Sequence, residues 1–128
     1  MANVPAFKSW LKYLVKEMHT QLPNSILNFY DSVTNAGELK WQSQLNEKNL
    51  EYFEICDYFF TDYHWNLEKL QEGWAFAESL QRTNDVFVGT DIWGRGTFGG
   101  GKFESYKGVT EARKLGFSVA LFAQGFTY

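Results

Sequence analysis

Three short stretches of the sequence combine aromatic side chains with carboxylates, an imidazole or a guanidinium. They are spaced about 30 residues apart, which is the length of one strand–helix unit. They comprise Tyr30 and Asp31, then residues 62–65, and then Asp91, Trp93 and Arg95. An aromatic ring can stack on the CH face of a sugar, and fixed polar groups can bind the hydroxyls. Because a buried polar group without a partner costs about 1–3 kcal/mol, such a site could discriminate between sugars.

The same residues also have structural interpretations that involve no ligand. Asp31 and Asp62 could cap the helices that follow their strands. Arg95 could serve only as the ion-pair partner of Asp91. His64 is more typical of a hydrogen-bonded loop histidine than of a catalytic one. The sequence alone leaves these alternatives open.

The composition argues against several classes of function. The net charge is −3 and no basic stripe occurs, so nothing indicates a nucleic-acid partner. No apolar run approaches the roughly 20 residues that a membrane span needs, which argues against a membrane partner. Two separated histidines and one cysteine provide no spaced set of metal ligands. The single cysteine, Cys56, excludes an internal disulfide, and its apolar neighbours indicate a buried, unreactive thiol.

Residues 94–102 form a glycine-rich segment that is similar to a phosphate-binding loop. The similarity is incomplete, because Lys102 is followed by Phe103, where a phosphate loop has Ser or Thr. A flexible loop that passes close to a substrate is the better interpretation.

Hydrophobic periodicity divides the chain into alternating helices and strands. The predicted helices span residues 5–22, 41–54, about 66–77 and 105–115, and the predicted strands span 25–31, 57–62, 85–91 and 117–123. Asn66 suits a helix N-cap, and Gly116 suits a helix C-terminus. Four such units in succession predict a parallel sheet of the α/β class.

Two architectures contain a sheet of this kind, the (β/α)₈ TIM barrel and the open doubly wound sheet. A doubly wound sheet usually has a glycine-rich phosphate loop after its first strand. Here the first strand ends in residues 29–32 without a glycine, which modestly favours the barrel. A complete barrel needs roughly 250 residues, whereas this chain has 128. We therefore predict that residues 1–128 are one partial (β/α)₈ domain of about four units.

A series of short motifs, in order along the chain, resembles glycoside hydrolase family 85. The motifs are residues 29–34, 37–42, 45–49, 88–96, 100–103 and 121–123, together with Cys56, Asp57, Tyr63 and Trp65. The family contains the cytosolic endo-β-N-acetylglucosaminidases, so the resemblance implies a cytosolic location. It also implies that the chain is the C-terminal half of a (β/α)₈ barrel and that no metal or organic cofactor is needed.

Members of this family cleave between the two N-acetylglucosamines in the core of N-linked glycans. The resemblance implies an N-glycan or glycoprotein substrate and a substrate-assisted mechanism, in which the acetamide oxygen forms an oxazolinium. One Glu acts as general acid and then base, and an Asn two residues before it orients the acetamide. This Asn-x-Glu pair lies upstream of the helix that matches residues 5–22. The expectation is therefore that the missing N-terminal half of the barrel carries the pair, and that this chain has no catalytic residue.

The substrate-binding residues implied by the resemblance are Tyr30, Trp41, Trp65, Asp91, Trp93 and Arg95. The tyrosine matches a family residue that contacts the reacting acetamide sugar, Trp41 matches one over the catalytic subsite, and the others match positions that line the cleft. The sequence departs from the family at Phe29, where Trp is usual, and at Asp62, where Asn is usual. Two alternatives to a hydrolase fragment remain, an inactive sugar-binding pseudoenzyme and a half-barrel that cannot fold alone.

Overall fold

The computed structural model describes residues 3–127, which contain alternating helices and strands. The helices are α1 (Val4–Gln21), α2 (Leu50–Ile55), α3 (Leu67–Ser79) and α4 (Tyr106–Lys114). The strands are β1 (Asn28–Tyr30), β2 (Tyr58–Phe60), β3 (Val86–Asp91) and β4 (Ser118–Phe122). Short 3₁₀ helices occupy Thr83–Asp85, Lys102–Glu104 and Gln124–Thr127. Between residues 3 and 127, no helix has both the length and the apolar character needed to cross a membrane.

The strands form one parallel sheet in the order β1-β2-β3-β4. Each strand pairs with the next one along the chain, and α2, α3 and α4 connect these neighbours. Because such connections are almost always right-handed, an unbroken sequential order places the connecting helices on one side of the sheet. The predicted α/β class and the parallel sheet are confirmed.

Side chains of each strand alternate between the two faces of the sheet. One face packs against the helices, and its residues include Phe29, Phe59 and Val88, which are 8%, 0% and 1% exposed. The helical side of this core contains Leu11 of α1 and Ala77 of α3. Burial of these apolar groups is the main force that holds the helices on this face.

The other face of the sheet, which we call the open face, has aromatic side chains that are half-buried or exposed. Tyr30 packs edge-on against Phe60, with ring centroids 5.3 Å apart. Tyr58 packs in the same way against Phe87, at 5.4 Å. Tyr30 is 39% exposed although the preceding residue is buried, as strand alternation requires.

We expect purified residues 1–128 to self-associate. Among the described strands, β1 pairs only with β2 and β4 only with β3, so each leaves one edge unpaired. Unpaired parallel edges recruit further strands, and the aromatic open face adds apolar surface. Light scattering should therefore detect dimers or larger species. A stable monomer with a cooperative melt would contradict this expectation and would favour the alternative of a sugar-binding pseudoenzyme.

The predicted helix over residues 41–54 is wrong in its first part, because α2 begins only at Leu50. The preceding segment is a loop in which several backbone groups bind side chains. The Asp31 carboxylate accepts the backbone N–H groups of Gln42 and Ser43 at 2.8 and 2.7 Å. Ser43 also has a φ of 61°, which a right-handed helix does not allow.

Polar side chains fix the starts of two helices, and the sequence predicts the second of these caps, Asn66. Asn3 accepts the backbone N–H of Ala6 at 3.2 Å, and Asn66 accepts that of Lys69 at 2.8 Å. Each bond satisfies one of the N–H groups that has no partner in the first turn. Gly116 has a φ of +79° and ends the α4 segment, a conformation that suits glycine.

The single thiol is a packing group. Cys56 is 3% exposed, and its burial raises the pKa of the thiol to about 11, with a smaller contribution from Asp57. A thiol with a raised pKa supplies little thiolate for chemistry. The predicted buried, unreactive cysteine is confirmed.

Candidate functional site

An open groove of about 450 Å³ lies where β1 and β2 end. Its lining residues are Tyr30, Trp41, Asp62, Tyr63 and His64. Tyr30 and Trp41 are 39% and 48% exposed, so their rings are accessible to a ligand. Tyr30 directly ends its strand, whereas Trp41 arrives from the loop that follows. The chain therefore brings two predicted binding residues together, although 11 positions separate Tyr30 from Trp41 in the sequence.

The Tyr30 hydroxyl interacts with its neighbours in the groove. Burial is the main reason that its pKa is raised, and the charge of Asp62 raises it further. A hydrogen bond with the Trp41 side chain opposes this effect. A tyrosine in this state keeps its proton near neutral pH, so its O–H can act as a hydrogen-bond donor to a ligand.

Asp31 lies beneath the groove and is fully buried, at 0% exposure. One carboxylate oxygen accepts the two backbone N–H groups that follow Trp41, and the other accepts the Asn49 amide at 3.1 Å. Burial raises the pKa of Asp31 to about 6, and these three hydrogen bonds act against that rise. The residue organises a loop rather than a helix terminus, so the interpretation of Asp31 as a helix cap is wrong.

Asp62 also binds its own loop. Its Oδ1 accepts the backbone N–H of His64 at 2.9 Å, while Asn66 caps the following helix. The ring of His64 is exposed, and its Nδ1 lies 3.5 Å from Asp62 Oδ2. The helix-cap interpretation of Asp62 is therefore wrong, whereas His64 lies in a loop with its exposed ring near the Asp62 carboxylate.

Arg95 and Asp91 form an ion pair at the end of β3. The Nε–Oδ2 distance is 2.6 Å, and the carboxylate side chain is fully buried. The guanidinium also lies over the rings of Tyr63 and Phe122, 5.4 and 5.3 Å from their centroids. The predicted ion pair between Asp91 and Arg95 is confirmed, and Tyr63 connects this cluster to the groove.

Trp93 follows Asp91 and is 48% exposed. Its backbone N–H donates to Asp91 Oδ1 at 3.1 Å, so the buried carboxylate holds both the Trp93 backbone and the Arg95 side chain. A ligand role for any of these three residues stays a prediction.

Trp65 differs from the sequence expectation, because its side chain lies in the core and does not line an open cleft. It is 4% exposed, its Nε1 donates to the carbonyl of Gly89 at 2.6 Å, and its ring stacks on Phe98 at 4.9 Å. The ring also approaches Gly108 at the start of α4. A tryptophan packed in this way has no free face for a sugar.

The glycine-rich segment is closed at its base. Gly94 and Gly101 lie in backbone contact, with φ values of +85° and +68°, and Lys102 donates its N–H to the carbonyl of Ile92. A Cβ atom on either glycine would overlap the opposite backbone, so both positions require glycine. Gly96 and Gly100, which lie within the segment, have open space around them.

Two contributors to the site had no clear signal in the sequence. Phe122 lies inside the apolar β4 run and stacks on Tyr63 at 5.3 Å. Its register partner is Asp91, so it points to the same face as that carboxylate, but the pairing could not be read from one strand alone. Asn49 lies 18 positions from Asp31, and only the fold brings the two side chains together.

The described residues contain one carboxylate among those that line the groove, namely Asp62. Between residues 3 and 127, no group of three or more His, Cys, Asp or Glu side chains could hold a metal ion. The groove therefore offers aromatic surface and hydrogen-bond partners, which are features of small-molecule binding sites.

Several known proteins are similar to this chain in sequence, and a solved structure is similar to it in fold. Residues 1–128 match Glycosyl hydrolase family 85 over their whole length. The chain is 43% identical over 128 residues to the cytosolic endo-beta-N-acetylglucosaminidase of Homo sapiens, covering 100% of this chain and 17% of that protein. It is 38% identical over 129 residues to cytosolic endo-beta-N-acetylglucosaminidase 1 of Arabidopsis thaliana, covering 98% and 18%.

A solved structure has the same fold. The glycoside hydrolase domain of Endo-D from Streptococcus pneumoniae R6 superposes with a TM-score of 0.69 at 22% identity, covering 92% of this chain and 20% of that one. The chain thus spans about a fifth or less of the length of these relatives. The family match and the identity to the curated relatives show that this chain belongs to glycosyl hydrolase family 85.

Proposed function

We propose that this chain forms the sugar-binding wall of an endo-β-N-acetylglucosaminidase catalytic barrel. The observation that carries the proposal is the groove in which Tyr30 and Trp41 meet at the carboxyl ends of parallel strands. In a (β/α)₈ barrel the substrate binds at this end of the strands. Membership of the hydrolase family and the names of the relatives make the N-glycan core the substrate that fits best.

The fold supports a partial barrel rather than a complete open sheet. The strands follow sequential order without the reversal that creates the binding crevice of a doubly wound sheet. The uncovered open face corresponds to the inner wall of a barrel, whose interior is filled by side chains from several strands. In this proposal the chain supplies four of eight strand–helix units, and the rest of the barrel supplies the other four.

The proposed reaction is hydrolysis of the bond between the two N-acetylglucosamines of an N-glycan. The substrate's acetamide oxygen attacks the anomeric carbon and displaces the leaving sugar, which receives a proton from a Glu. Water then opens the oxazolinium, with the same Glu as base and an Asn that orients the acetamide. Both residues come from the part of the barrel outside this chain, while Tyr30 contacts the acetamide sugar and Trp41 stacks on it.

Trp93 and Arg95 extend the proposed wall beyond β3, and the buried Asp91 carboxylate holds both of them in place. The side chain of Trp93 is exposed, and the Arg95 guanidinium is held over two rings at the groove edge. We propose a cytosolic location as well, because the relatives carry that word in their names. No step of the proposed reaction uses a metal or an organic cofactor.

The test is a chimaera, defined as the human relative with its matching segment replaced by residues 1–128 of this chain. We expect the chimaera to release the glycan from a high-mannose glycopeptide and to leave one N-acetylglucosamine on the peptide, as detected by mass spectrometry. The unmodified human protein is the control. A folded chimaera that binds the glycopeptide without cleaving it would support the sugar-binding pseudoenzyme instead.

Trp65→Phe in the chimaera should lower the free energy of unfolding by about 1 kcal/mol and leave KM unchanged. The reason is that phenylalanine removes the N–H donor to the Gly89 carbonyl, and one buried hydrogen bond contributes about that much. Chemical denaturation and steady-state kinetics check the two parts. A raised KM with an unchanged free energy of unfolding would instead indicate that Trp65 contacts the substrate.

A further inference from the structure

The loop between β1 and α2, which we call the Trp41 loop, consists of residues 31–49. Its first part is tied by backbone bonds, such as Lys40 N–H to the carbonyl of Ser32 at 2.8 Å. Its second part has no regular backbone pairing from Trp41 to Ser43 and depends on the buried Asp31. The position of the exposed indole is therefore determined by the backbone on either side of it.

Asp31 binds the chain immediately after Trp41. Its Oδ2 receives the N–H groups of Gln42 and Ser43 at 2.8 and 2.7 Å. Its Oδ1 receives the Asn49 amide at 3.1 Å, and that amide also donates to the carbonyl of Gln44 at 2.9 Å. Hydrogen bonds to a charged acceptor are about twice as strong as neutral ones, so one carboxylate holds both ends of this segment.

We propose that Asp31 is a positioning residue that fixes Trp41 above Tyr30 by binding the backbone at Gln42 and Ser43. The inference rests on the proposed function, in which Trp41 stacks on the reacting sugar. Asp31 does not contact the groove itself, because it is fully buried and the groove is lined by other residues. Its effect on a ligand therefore passes through the Trp41 loop and through the adjacent Tyr30, on which the Asp31 charge also acts.

An amide could not replace this carboxylate fully. Asn at position 31 would keep one oxygen for the two backbone N–H groups, but its NH₂ group would face the NH₂ group of Asn49. Two donors cannot bind each other. The far end of the loop would lose its link to β1, although the volume of the side chain would be almost unchanged.

The charge of Asp31 gives the inference a pH dependence. Burial, and to a smaller extent the charge of Asp62, raises the pKa of Asp31. The ammonium of Lys69 in α3 packs on the same loop and donates to the Gln42 carbonyl at 3.1 Å. With a folded-state pKa of about 6, the carboxyl gains a proton as pH falls through 6. Protonated Asp31 has one fewer acceptor, so the hold on the Trp41 loop weakens on the acid side.

The pH dependence of stability is opposite in direction to the pH dependence of loop positioning. Because the pKa is raised above its usual value of 3.8, ionisation is harder in the folded chain than in the unfolded chain. The stability linked to this group is therefore full below about pH 4 and is lost as pH rises through 6. Removing the charge should not lower Tm at pH 7, whereas it should disturb the loop.

The experiment compares Asp31→Asn with wild type in the chimaera, with Glu47→Gln as the control, since Glu47 is an exposed carboxylate of the same loop. For Asp31→Asn we expect kcat/KM at pH 7 to fall about ten-fold, since small misplacements of binding groups reduce rates strongly. In the wild-type chimaera, kcat/KM should fall as pH drops through about 6, and Asp31→Asn should remove this fall. Hydrogen–deuterium exchange should become faster in residues 41–49, with Tm unchanged or higher.

Two outcomes would overturn the inference. One is a loss of activity that follows a fall in Tm, which would make Asp31 a purely structural residue. The other is unchanged exchange in residues 41–49, whatever the activity. If the wild-type chimaera shows no glycan release, the proposed function fails, but the exchange comparison still decides whether Asp31 holds the loop.

Discussion

Purified residues 1–128 should not release glycans from a high-mannose glycopeptide. The groove has one lining carboxylate, Asp62, which is 5% exposed and bound to its own loop. In the proposed function the general acid comes from a residue outside this chain, and such a group contributes about 10²–10⁴ in rate. Mass spectrometry of the glycopeptide after long incubation, beside the chimaera as positive control, measures the difference.

Two variants test the source of any glycan release that purified residues 1–128 still show. Glu47→Gln and Glu104→Gln remove exposed carboxylates outside the groove. Turnover that survives both changes would show that our account of the absent acid is wrong. Turnover that disappears in one of them would identify that residue as a substitute acid.

Trp41→Ala in the chimaera should lower kcat/KM for the glycopeptide by about 10- to 100-fold while Tm remains the same. The indole is 48% exposed beside Tyr30, so little core packing is lost with it. Stacking of a flat ligand on an aromatic platform is worth about 1–3 kcal/mol in the related case of nucleic-acid bases. Steady-state kinetics and a thermal melt on the same preparation measure both quantities.

Trp10→Ala is the matched control for this change. Trp10 is 53% exposed on α1, away from the groove, so its loss should leave kcat/KM unaltered. If Trp41→Ala instead lowers Tm and activity in proportion, the indole anchors the loop and does not stack on a sugar.

The sequence predicts the regular elements well because their signals are local. The Asn66 cap and the apolar stripe after it place α3 within two residues of its observed end at Ser79. The strand pattern also gives the correct number of strands among residues 3–127 and their parallel pairing. Strand lengths are less accurate, since β1 starts at Asn28 whereas the apolar pattern predicts residue 25.

The conformation of the Trp41 loop could not be predicted from local sequence signals. The spacing of Leu45 from Tyr52 and Phe53 suits a helix, but the buried carboxylate of Asp31, at the start of the loop, binds the backbone 11 and 12 positions further along. A long-range hydrogen bond of this kind leaves no periodic signal. The predicted helix therefore started too early, and the role of Asn49 remained hidden.

The candidate site likewise contains contacts that the sequence predicts and contacts that it does not. The Asp91–Arg95 pair was foreseeable because its members are four residues apart. Trp65 was misassigned because a strand-end tryptophan has the same sequence signal whether it faces a cleft or a helix. Its Gly89 and Phe98 partners are 24 and 33 positions away, and only folding brings them together.

The contact between Gly94 and Gly101 has a practical consequence for protein engineering. It closes the intervening residues into a ring whose base is fixed, and Gly96, close to that base, has open space around it. The middle of the ring is packed, since Thr97 is 9% exposed and Phe98 stacks on Trp65. Lengthening a flexible loop costs little, because doubling its length adds only about 0.6 kcal/mol of closure entropy. A short peptide inserted at Gly96 would therefore extend into free space next to Arg95, which makes Gly96 the place in this ring to graft new recognition elements.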